Sequence, residues 1–414
     1  MRVLFVTHNM PRFQGDASGS FVLRLAVALQ AAGARVDVIA PGAAGLTTPS
    51  VIEGVTIHRV RYAADRAMTL AYSGTMVEEV KRSWRARFAL LGMLRALRAA
   101  AQAAVTEARR RGDPFDVVHA HWWFPAGLAL WRAWPRQQAT GRPVGRGLGR
   151  VVTMHGSDVR LAQTLAPAKA LMRLVLDAFD QRTAVSGWLA QTASRIAPAR
   201  PVLIAPMPVD TSRFTVSSAT RREGILFVGR LNAQKGIGDL LRALARPALG
   251  TATLDIVGDG PDRIELETFA TNAGIAARIR WLGALPQGEL VPRYQRAQVV
   301  AMPSREEGLG LVAVEAQLCG TPVVAYASGG LPDVVRPDAG GTLVPEGDID
   351  ALTQELARSL DHPEEATQRG LRARLAMRDR FSPEAAATQY LGIYQEAIRR
   401  VAQSGDEPDS RVIA

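Results

Sequence analysis

Two glutamates stand eight positions apart in the stretch Ala301 to Tyr326, which reads AMPSREEGLGLVAVEAQLCGTPVVAY. A β-rich run, a Gly-x-Gly turn and an apolar-periodic helix follow one another there. With Glu307 just before the predicted helix and Glu315 two turns into it, a helical rise of about 1.5 Å per residue separates them by about 12 Å. The spacing predicts that Glu307 accepts hydrogen bonds from sugar hydroxyls and Glu315 from a ribose diol. The backbone amides predicted to face a diphosphate belong to Gly308, Leu309 and Gly310.

A cationic pair opens the second half of the chain. In ILFVGRLNAQKGIG, Arg230 and Lys235 fall between a predicted strand and a helix. Phosphate groups require fixed positive charge at short range, for which Arg offers a fork and Lys a point charge. The glycines of a Walker loop are missing before the lysine. The pattern therefore predicts a phosphate-binding pair, with two solvated loop cations as the alternative.

Four of the six histidines fall at the ends of predicted strands in the first half: His8, His119, His121 and His155. His119 and His121 are two positions apart, so they share one face of an extended segment. Together with His155 and Asp158 they suggest a metal site, and a metallohydrolase is an alternative from a different functional class. That alternative leaves the glutamates of the second half without a role.

Taken together, these motifs resemble those of the retaining glycosyltransferases of the GT-B fold, glycosyltransferase family 4, also called group 1. The Glu307 to Glu315 stretch matches the Glu-x7-Glu signature, and residues 229–236 match a Gly-Arg-x4-Lys-Gly segment. The resemblance implies that Arg230 and Lys235 bind the diphosphate and stabilise the departing nucleotide. In VVTMHGSD it implies that His155 lies near the donor sugar and the reacting anomeric centre.

The resemblance also covers the first loop and the middle of the first half. Family members usually carry paired glycines after the first strand, whereas this chain has Gly19 followed by Ser20. We assign both to donor binding, with a plain glycine turn as the alternative. HAHWWFPAGL resembles an acceptor-side loop. The acceptor-side candidates are His119, His121, Trp122 and Asp158. For His119 and His121 a structural role is equally open.

Short β-branched runs alternate with helical patterns twice along the chain, which predicts an α/β protein of two Rossmann-like doubly wound domains. In the GT-B fold that the motifs resemble, the two domains face each other across a cleft. The expected divisions are an acceptor-side domain over 1–205, a donor-binding domain over 206–380, a C-terminal helix over 381–403 that crosses back to the first domain, and a disordered tail over 404–414.

Composition sets the expected compartment and partners. The 414 residues are 47% hydrophobic, and the single Cys319 excludes an internal disulfide, so the cytoplasm is expected. The net charge of +11 predicts an acidic partner. Nucleic acid is disfavoured because no stacking platform or binding motif is found. Anionic lipid or a diphosphate-linked acceptor fits better, and this extends the expected location to the inner face of the cell membrane.

One segment supports that membrane expectation. Residues 76–111 form a predicted long helix in which Lys81, Arg82, Arg85 and Arg87 are interspersed with aromatic and aliphatic side chains. An ordinary amphipathic helix that covers the sheet is the alternative. No window of about 18 uninterrupted apolar residues, the length of a membrane span, is present.

The function expected from these features is a metal-independent hexosyltransferase of class EC 2.4, which moves a sugar from a nucleotide-sugar donor to a hydroxyl acceptor with retention. The acceptor can be lipid-linked, in the biosynthesis of a cell-surface polysaccharide or glycolipid. No cofactor is expected besides the nucleotide-sugar co-substrate. A nucleotide-sugar epimerase of the same fold is the alternative within the fold.

Overall fold

The computed structural model of the chain describes residues 1–16, 18–72, 76–134, 147–217 and 222–404. The chain divides into two compact units. Unit 1 comprises Met1–Val185, Leu189–Met207 and the chain from Ala386 onward, and unit 2 comprises Ser186–Trp188 and Pro208–Ala385. The tail expected to be disordered lies outside the described residues from position 405 onward.

Unit 1 is built on an eight-stranded sheet in the order β3-β4-β2-β1-β5-β6-β7-β8. The strand pairs are parallel except for β3, which pairs antiparallel with β4. Strand β1, at the centre of the sheet, is a buried apolar run after Arg2, and β5 beside it is fully buried, as expected where helices cover both faces of a parallel sheet. The strands are β1 (Arg2–Val6), β2 (Arg35–Pro41), β3 (Ser50–Ile52), β4 (Val55–Val60), β5 (Val117–His121), β6 (Gly149–Met154), β7 (Gln181–Ala184) and β8 (Leu203–Ile204).

Helices connect these strands. They are α1 (Ser20–Ala31), α2 (Met76–Arg82), α3 (Trp84–Arg110), α4 (Leu128–Leu130), α5 (Ser157–Thr164), α6 (Ala166–Asp177) and α7 (Gly187–Ile196). The single long helix predicted over 76–111 is wrong in one respect, because it breaks at Ser83. The backbone of Ser83 is extended and its hydroxyl accepts a hydrogen bond from the Ala86 amide at 3.5 Å, so Ser83 caps α3 and ends α2.

Unit 2 contains a fully parallel six-stranded sheet in the order β11-β10-β9-β12-β13-β14. Its strands are β9 (Glu223–Val228), β10 (Leu254–Val257), β11 (Ile279–Gly283), β12 (Ala297–Met302), β13 (Val323–Tyr326) and β14 (Thr342–Val344). Its helices are α8 (Ile237–Leu244), α9 (Arg263–Asn272), α10 (Gln287–Arg296), α11 (Leu311–Leu318), α12 (Leu331–Val334), α13 (Ile349–Asp361) and α14 (Pro363–Arg380). Asp348 caps α13 by accepting a hydrogen bond from the Ala351 amide at 2.8 Å.

The last helix, α15 (Pro383–Ser404), begins in unit 2 and from Ala386 onward belongs to unit 1. Two of its tyrosines reach into the core of unit 1. Tyr390 donates to the Ala205 carbonyl at 3.0 Å, and the Tyr394 hydroxyl lies 2.8 Å from Nδ1 of His119. These bonds tie the C-terminal helix to the ends of strands that lie far away in sequence.

Each sheet has one point at which the strand order reverses direction. In unit 1 it lies between β1 and β5, and in unit 2 it lies between β9 and β12. Loops that leave the carboxyl ends of neighbouring parallel strands diverge at such a point and leave a crevice in which ligands of α/β sheets bind. The sequence-predicted site residues follow β1, β5 and β6 in unit 1, and β9 and β12 in unit 2.

Helix α3 is long and apolar enough, with a mean hydropathy of 1.3 over 18 residues, to cross a membrane by length and composition alone. Arg95 and Arg98 interrupt its apolar part, so it is not a window of uninterrupted apolar residues. The same test is passed by helices that pack on a sheet, and α3 contacts β2 and β4. Its buried residues recur every three or four positions on one face: Ala86, Ala89, Met93, Leu97, Ala101, Val105 and Ala108.

Candidate functional site

The cationic loop of unit 2 is held against the loop that follows β12. Asn232 caps a short 3-10 turn, Ala233–Lys235, by accepting a hydrogen bond from the Lys235 amide at 3.2 Å. The Arg305 amide then donates to the Gln234 carbonyl at 2.8 Å, which links the two loops. The turn therefore points Lys235 toward the glutamates after β12.

Lys235 and Glu307 form an ion pair. The Lys235 ammonium lies 2.5 Å from Oε2 of Glu307, and both side chains are largely but not fully buried. A charge-assisted hydrogen bond of this kind is shorter and stronger than one between neutral groups. Two residues predicted separately, from a cationic motif and from an acidic one, are thus in direct contact. Arg230 lies in the same loop, exposed, directly after β9 and Gly229.

Glycines allow the loops to approach this closely. Gly236 has a φ of 67°, and a methyl group on it would overlap with the Pro303 carbonyl. Gly329 has a φ of 58°, and a methyl group there would overlap with the backbone of Glu307. The neighbouring Gly330 amide donates to the Glu307 carbonyl at 2.7 Å. Both positions favour glycine by backbone conformation and by space.

The helix that carries Glu315 begins directly after the predicted Gly-x-Gly turn. Gly310, with a φ of 93°, is the residue before α11, so the helix starts at Leu311. Glu315 is therefore the fifth helical residue and does not lie two turns into the helix. Because Glu307 lies in the loop before Gly310, a helical rise does not describe the whole interval between the two glutamates. Gly308 and Leu309 are part of that loop, and Leu309 is buried. One oxygen of the Glu315 carboxylate accepts from the Tyr294 hydroxyl at 2.8 Å.

In unit 1, aromatic side chains surround His155. Its ring centroid lies 4.2 Å from that of Trp122 and 5.2 Å from that of Phe21, and His8 in turn lies 4.4 Å from Trp122. Nε2 of His155 is 3.2 Å from Nδ1 of His121. His155 is partly exposed, whereas His121 and Trp122 are buried. A ligand can therefore reach His155, and the partly exposed His8 and Phe21 beside it, but not His121 or Trp122.

Trp122 adopts an unusual backbone conformation. Its φ is 67°, a region that bulky side chains rarely occupy. The conformation is held by a hydrogen bond from the Trp122 amide to the Thr153 carbonyl at 2.7 Å. Backbone strain of this sort concentrates at functional sites. It supports a functional role for the end of β5, although the buried ring leaves little surface for an acceptor.

Two acceptor-side candidates have structural partners instead. Both ring nitrogens of His119 are engaged, one by Tyr394 and the other by Thr153 at 2.7 Å, and the side chain is fully buried. The geometry favours the structural alternative for His119. The geometry also speaks against the prediction that Asp158 contacts the acceptor. Its side chain is 2% exposed, and its oxygens accept hydrogen bonds from the amides of Trp123, His155, Gly156 and Val159. Burial raises the pKa of Asp158 to about 6. It joins the loops after β5 and β6.

Among the described residues, no group of three or more His, Cys, Asp or Glu side chains is arranged to hold a metal ion. His119 and Asp158, two members of the metal set that the sequence suggested, are committed to protein partners as described. The metallohydrolase alternative therefore loses two of its four suggested ligands.

Gly19 and Ser20 lie at the start of α1, next to the histidine cluster. Gly19 has a φ of 68°, and a methyl group on it would overlap with the Asn9 carbonyl after β1. Ser20 is the first residue of α1, and Phe21 beside it contacts the rings of His155 and Trp122. The glycine thus brings the beginning of α1 to the end of β1, where the sequence predicted a ligand contact.

Sequence reasoning missed the residues that support these side chains. They are Phe21 in unit 1 and Asn232, Tyr294, Arg305, Ser328, Gly329 and Gly330 in unit 2. A signal existed for the last three, because a Ser-Gly-Gly run after a predicted strand is typical of a loop that approaches another backbone closely. Tyr294 gave no such signal.

Two family models match the chain in succession. The model described as Glycosyltransferase Family 4 matches residues 18–213, and the model described as Glycosyl transferases group 1 matches residues 209–376. The D-inositol 3-phosphate glycosyltransferase of Salinispora tropica is 31% identical to this chain, over 94% of this chain and 84% of its own length. A GDP-mannose-dependent alpha-(1-6)-phosphatidylinositol monomannoside mannosyltransferase of Mycolicibacterium smegmatis is 33% identical, over 56% of this chain and 67% of its own length.

Solved structures agree in fold. The sucrose-phosphate synthase of Thermosynechococcus elongatus superposes with a TM-score of 0.77 at 23% identity, over 97% of this chain and 100% of its own. Anabaena HepE in complex with UDP-glucose superposes with a TM-score of 0.67 at 18% identity, over 97% of this chain and 100% of its own. At these identities the likeness establishes the fold, and both proteins have the GT-B fold that the motifs predicted.

The buried histidines generate a prediction about stability and pH. Burial lowers the pKa of His8 to about 4 and that of His121 to about 3. Because these folded-state values lie below the unfolded value of about 6.5, the stabilisation is complete above about pH 6.5 and is lost as the pH falls toward 4. Each such histidine contributes a slope of up to about 1.4 kcal/mol per pH unit.

Between about pH 7 and pH 5, the free energy of unfolding should decrease in both the unsubstituted chain and His8→Asn. We expect the decrease to be about 2 kcal/mol smaller in His8→Asn, which lacks the titrating imidazole. Urea unfolding followed by tryptophan fluorescence measures both. The comparison uses the change with pH, so a constant loss of stability in the variant does not affect it. Equal changes in the two proteins would show that His8 does not remain neutral in the folded chain.

Proposed function

Because the chain belongs to the group 1 glycosyltransferases of family 4, we propose that it transfers a sugar from a nucleotide-sugar donor with retention of anomeric configuration. The observation that carries the proposal is the Lys235–Glu307 ion pair at the switch point of unit 2. A cation and a carboxylate one hydrogen bond apart suit a ligand in which phosphate adjoins sugar hydroxyls.

The donor contacts follow from the chemistry of each group. Arg230 and Lys235 donate to the diphosphate, and the N-terminal amides of α11 add to their positive potential. Glu307 accepts hydrogen bonds from sugar hydroxyls, and Glu315 accepts them from the ribose diol. As the bond from the anomeric carbon to the phosphate oxygen breaks, charge develops on the leaving diphosphate, and these cations stabilise it. No divalent ion takes part in this scheme.

Retention is supported by the partners of three carboxylates that could otherwise act as nucleophiles. Glu307 is paired with Lys235, Asp158 is buried under four backbone amides, and Asp16 accepts from Arg12 at 2.7 Å. A double displacement requires a carboxylate that can reach the anomeric carbon. In the proposed front-face route, the acceptor oxygen bonds to the anomeric carbon on the side from which the phosphate oxygen leaves. The departing phosphate oxygen takes the proton of the acceptor hydroxyl.

An inverting route would require a general base, for which His155 is the candidate. Burial, together with the neighbouring His121 and His8, holds the pKa of His155 well below its ordinary value. A weakly basic imidazole accepts a proton from an alcohol poorly. This supports retention and leaves to His155 the task of steadying the reacting sugar, which stays a prediction.

The acceptor is proposed to be a hydroxyl compound that carries phosphate or a lipid. The names of two relatives specify D-inositol 3-phosphate and phosphatidylinositol monomannoside, of which the first is a phosphorylated polyol and the second a glycolipid. The net charge of +11 favours an anionic acceptor of either kind. A role in cell-surface glycan or glycolipid biosynthesis follows from this choice of acceptor.

A surface on α2 and α3 supports a location at the inner face of the membrane. Trp84, Phe88 and Leu91 are 64%, 66% and 48% exposed, and their i, i+4, i+7 spacing puts them on one stripe of α3. Successive residues turn by about 100°, so this stripe lies opposite the buried face of the helix. The basic residues beside it are Lys81, Arg82, Arg85 and Arg87. Aromatic side chains flanked by basic ones suit the headgroup region of an anionic bilayer.

Removing either predicted phosphate-binding cation tests the donor site. We expect Arg230→Ala and Lys235→Ala each to lower the turnover number about a hundredfold or more, because the leaving charge loses a donor. Initial rates of nucleotide release with UDP-, GDP- and ADP-sugars measure this, and circular dichroism monitors the fold. Arg246→Ala and Lys169→Ala, which remove one exposed cation of each kind elsewhere, are the matched controls. Turnover near the unsubstituted level in both site variants would overturn the donor assignment.

The same assay tests metal independence. We expect the rate in the presence of EDTA to equal the rate without it, since side chains and a helix end meet the diphosphate charge. Loss of activity in EDTA that added Mg²⁺ or Mn²⁺ restores would show that a divalent ion belongs to the mechanism.

The anomeric configuration of the product tests the route. With an α-linked donor we expect the first-formed product to be α-linked, as read from the anomeric coupling constant in time-resolved proton NMR. Early spectra are needed because free sugars released by hydrolysis mutarotate. A β-linked first product would reject the front-face route and assign general-base catalysis to His155.

Flotation with vesicles tests the membrane surface. We expect binding to vesicles that contain phosphatidylglycerol, weaker binding to pure phosphatidylcholine, and release at about 0.5 M salt, where charges are screened within a few ångströms. The double variant Trp84→Ser/Phe88→Ser should bind several-fold less, whereas Ile264→Ser/Leu375→Ser, which removes equally exposed apolar side chains from unit 2, should bind normally. No flotation with the anionic vesicles at low salt would contradict the proposal.

A further inference from the structure

The carboxylate of Glu315 is anchored by a tyrosine from another helix. Tyr294 lies near the end of α10, and its hydroxyl is 2.8 Å from Oε2 of Glu315 on α11. Tyr294 is fully buried, while Glu315 is partly exposed. The contact therefore runs from the interior of unit 2 to a side chain that solvent and ligands can reach.

The direction of this hydrogen bond is fixed by electrostatics. Burial, followed by the negative charge of Glu315, holds the pKa of Tyr294 well above its ordinary value. The phenol therefore keeps its proton and donates it to the carboxylate. Each carboxylate oxygen has two lone pairs, so the phenol takes one of the four accepting positions of the Glu315 carboxylate.

Tyr294 is itself held in position by a chain of hydrogen bonds. The Thr321 hydroxyl donates to the Tyr294 carbonyl at 2.6 Å, and the Arg222 guanidinium donates to the Thr321 hydroxyl at 2.5 Å. Arg222 also donates to the carbonyls of Cys319 and Ala297 at 2.9 Å and 3.1 Å. The backbone of Tyr294 is thus linked, through Thr321 and Arg222, to the start of β12 and to the turn after α11.

We propose that Tyr294 is a positioning residue that fixes the rotamer of Glu315, so that its carboxylate receives the ribose hydroxyls of the donor. This inference rests on the proposed function, in which Glu315 is the ribose acceptor group. A glutamate side chain has three rotatable bonds, and holding one carboxylate oxygen removes most of their freedom before a ligand arrives. A site built to accept hydrogen bonds from a hydroxyl discriminates against a ligand that lacks it. Tyr294 therefore contributes to the preference for ribose over deoxyribose.

The test measures that preference directly. Isothermal titration gives dissociation constants for UDP, GDP and ADP and for their 2′-deoxy counterparts, and the tightest pair is used. We expect the unsubstituted chain to prefer the ribonucleotide, and Tyr294→Phe to reduce this preference about fivefold to tenfold with little change for the deoxynucleotide. Glu315→Gln should reduce the preference for the ribonucleotide at least as much. The double variant should show no additional loss of preference, because both substitutions remove the same interaction.

Tyr326→Phe is the matched control. It also removes a buried tyrosine hydroxyl that lies within hydrogen-bond distance of a carboxylate in unit 2, since Tyr326 donates to Asp239 at 3.1 Å. We expect it to leave the ratio of ribonucleotide to deoxynucleotide affinity unchanged. A general loss of stability in unit 2 would lower the affinities for the ribonucleotide and the deoxynucleotide alike, in Tyr294→Phe and in Tyr326→Phe, and would leave their ratio unchanged. An unchanged ratio in Tyr294→Phe would therefore overturn the inference.

Failure of the proposed function gives a different result. If Glu315→Gln retains the full ribose preference, Glu315 is not the ribose acceptor group, and the donor assignment of this residue fails together with the role of Tyr294. If Glu315→Gln loses the preference and Tyr294→Phe retains it, the donor assignment stands and only the positioning role is rejected.

Discussion

The close approach of three loops in unit 2 is the constraint on which the donor-side residues depend. The loops follow β9, β12 and β13, and they touch at Gly236 on Pro303 and at Gly329 on Glu307, where a methyl group has no room. The position of Lys235 relative to Glu307 is therefore set by backbone packing before any attraction between their charges acts. An ion pair alone would leave two flexible side chains free to separate in water. The backbone contact converts a weak attraction into a fixed geometry.

Most of the fold could be predicted because buried parallel strands are continuous apolar runs bounded by turn residues. The predicted alternation of strands and helices, repeated twice along the chain, is confirmed by the two sheets with their connecting helices. Helical geometry was applied too early between Glu307 and Glu315, because residue types alone do not show that Glu306 and Gly310 both adopt positive φ. Ser83 divided a predicted helix for a similar reason, since capping depends on one backbone conformation.

The site was predictable where a motif is contiguous and unpredictable where partners are distant. Lys235 and Glu307 were each identified from local sequence, yet their contact across 72 positions was not. Asp158 looked like a ligand-binding carboxylate, whereas four converging backbone amides make it a structural anchor. Such convergence is a property of the folded loops and leaves no trace in residue spacing. Tyr294 was missed for the same reason, because its hydroxyl meets Glu315 through the packing of two helices.

Lys235 and Glu307 serve as each other's counterions, and this has a consequence for selectivity. An anion that approaches Lys235 competes with a carboxylate already in place, so a bare phosphate gains little from an ammonium that is neutralised. A ligand that also presents hydroxyl groups donates hydrogen bonds to Glu307, and these replace the one from Lys235. On the proposed function, the pair therefore favours the intact sugar nucleotide over the inorganic phosphate that is abundant in cells, through exchange of partners rather than through the strength of any single contact.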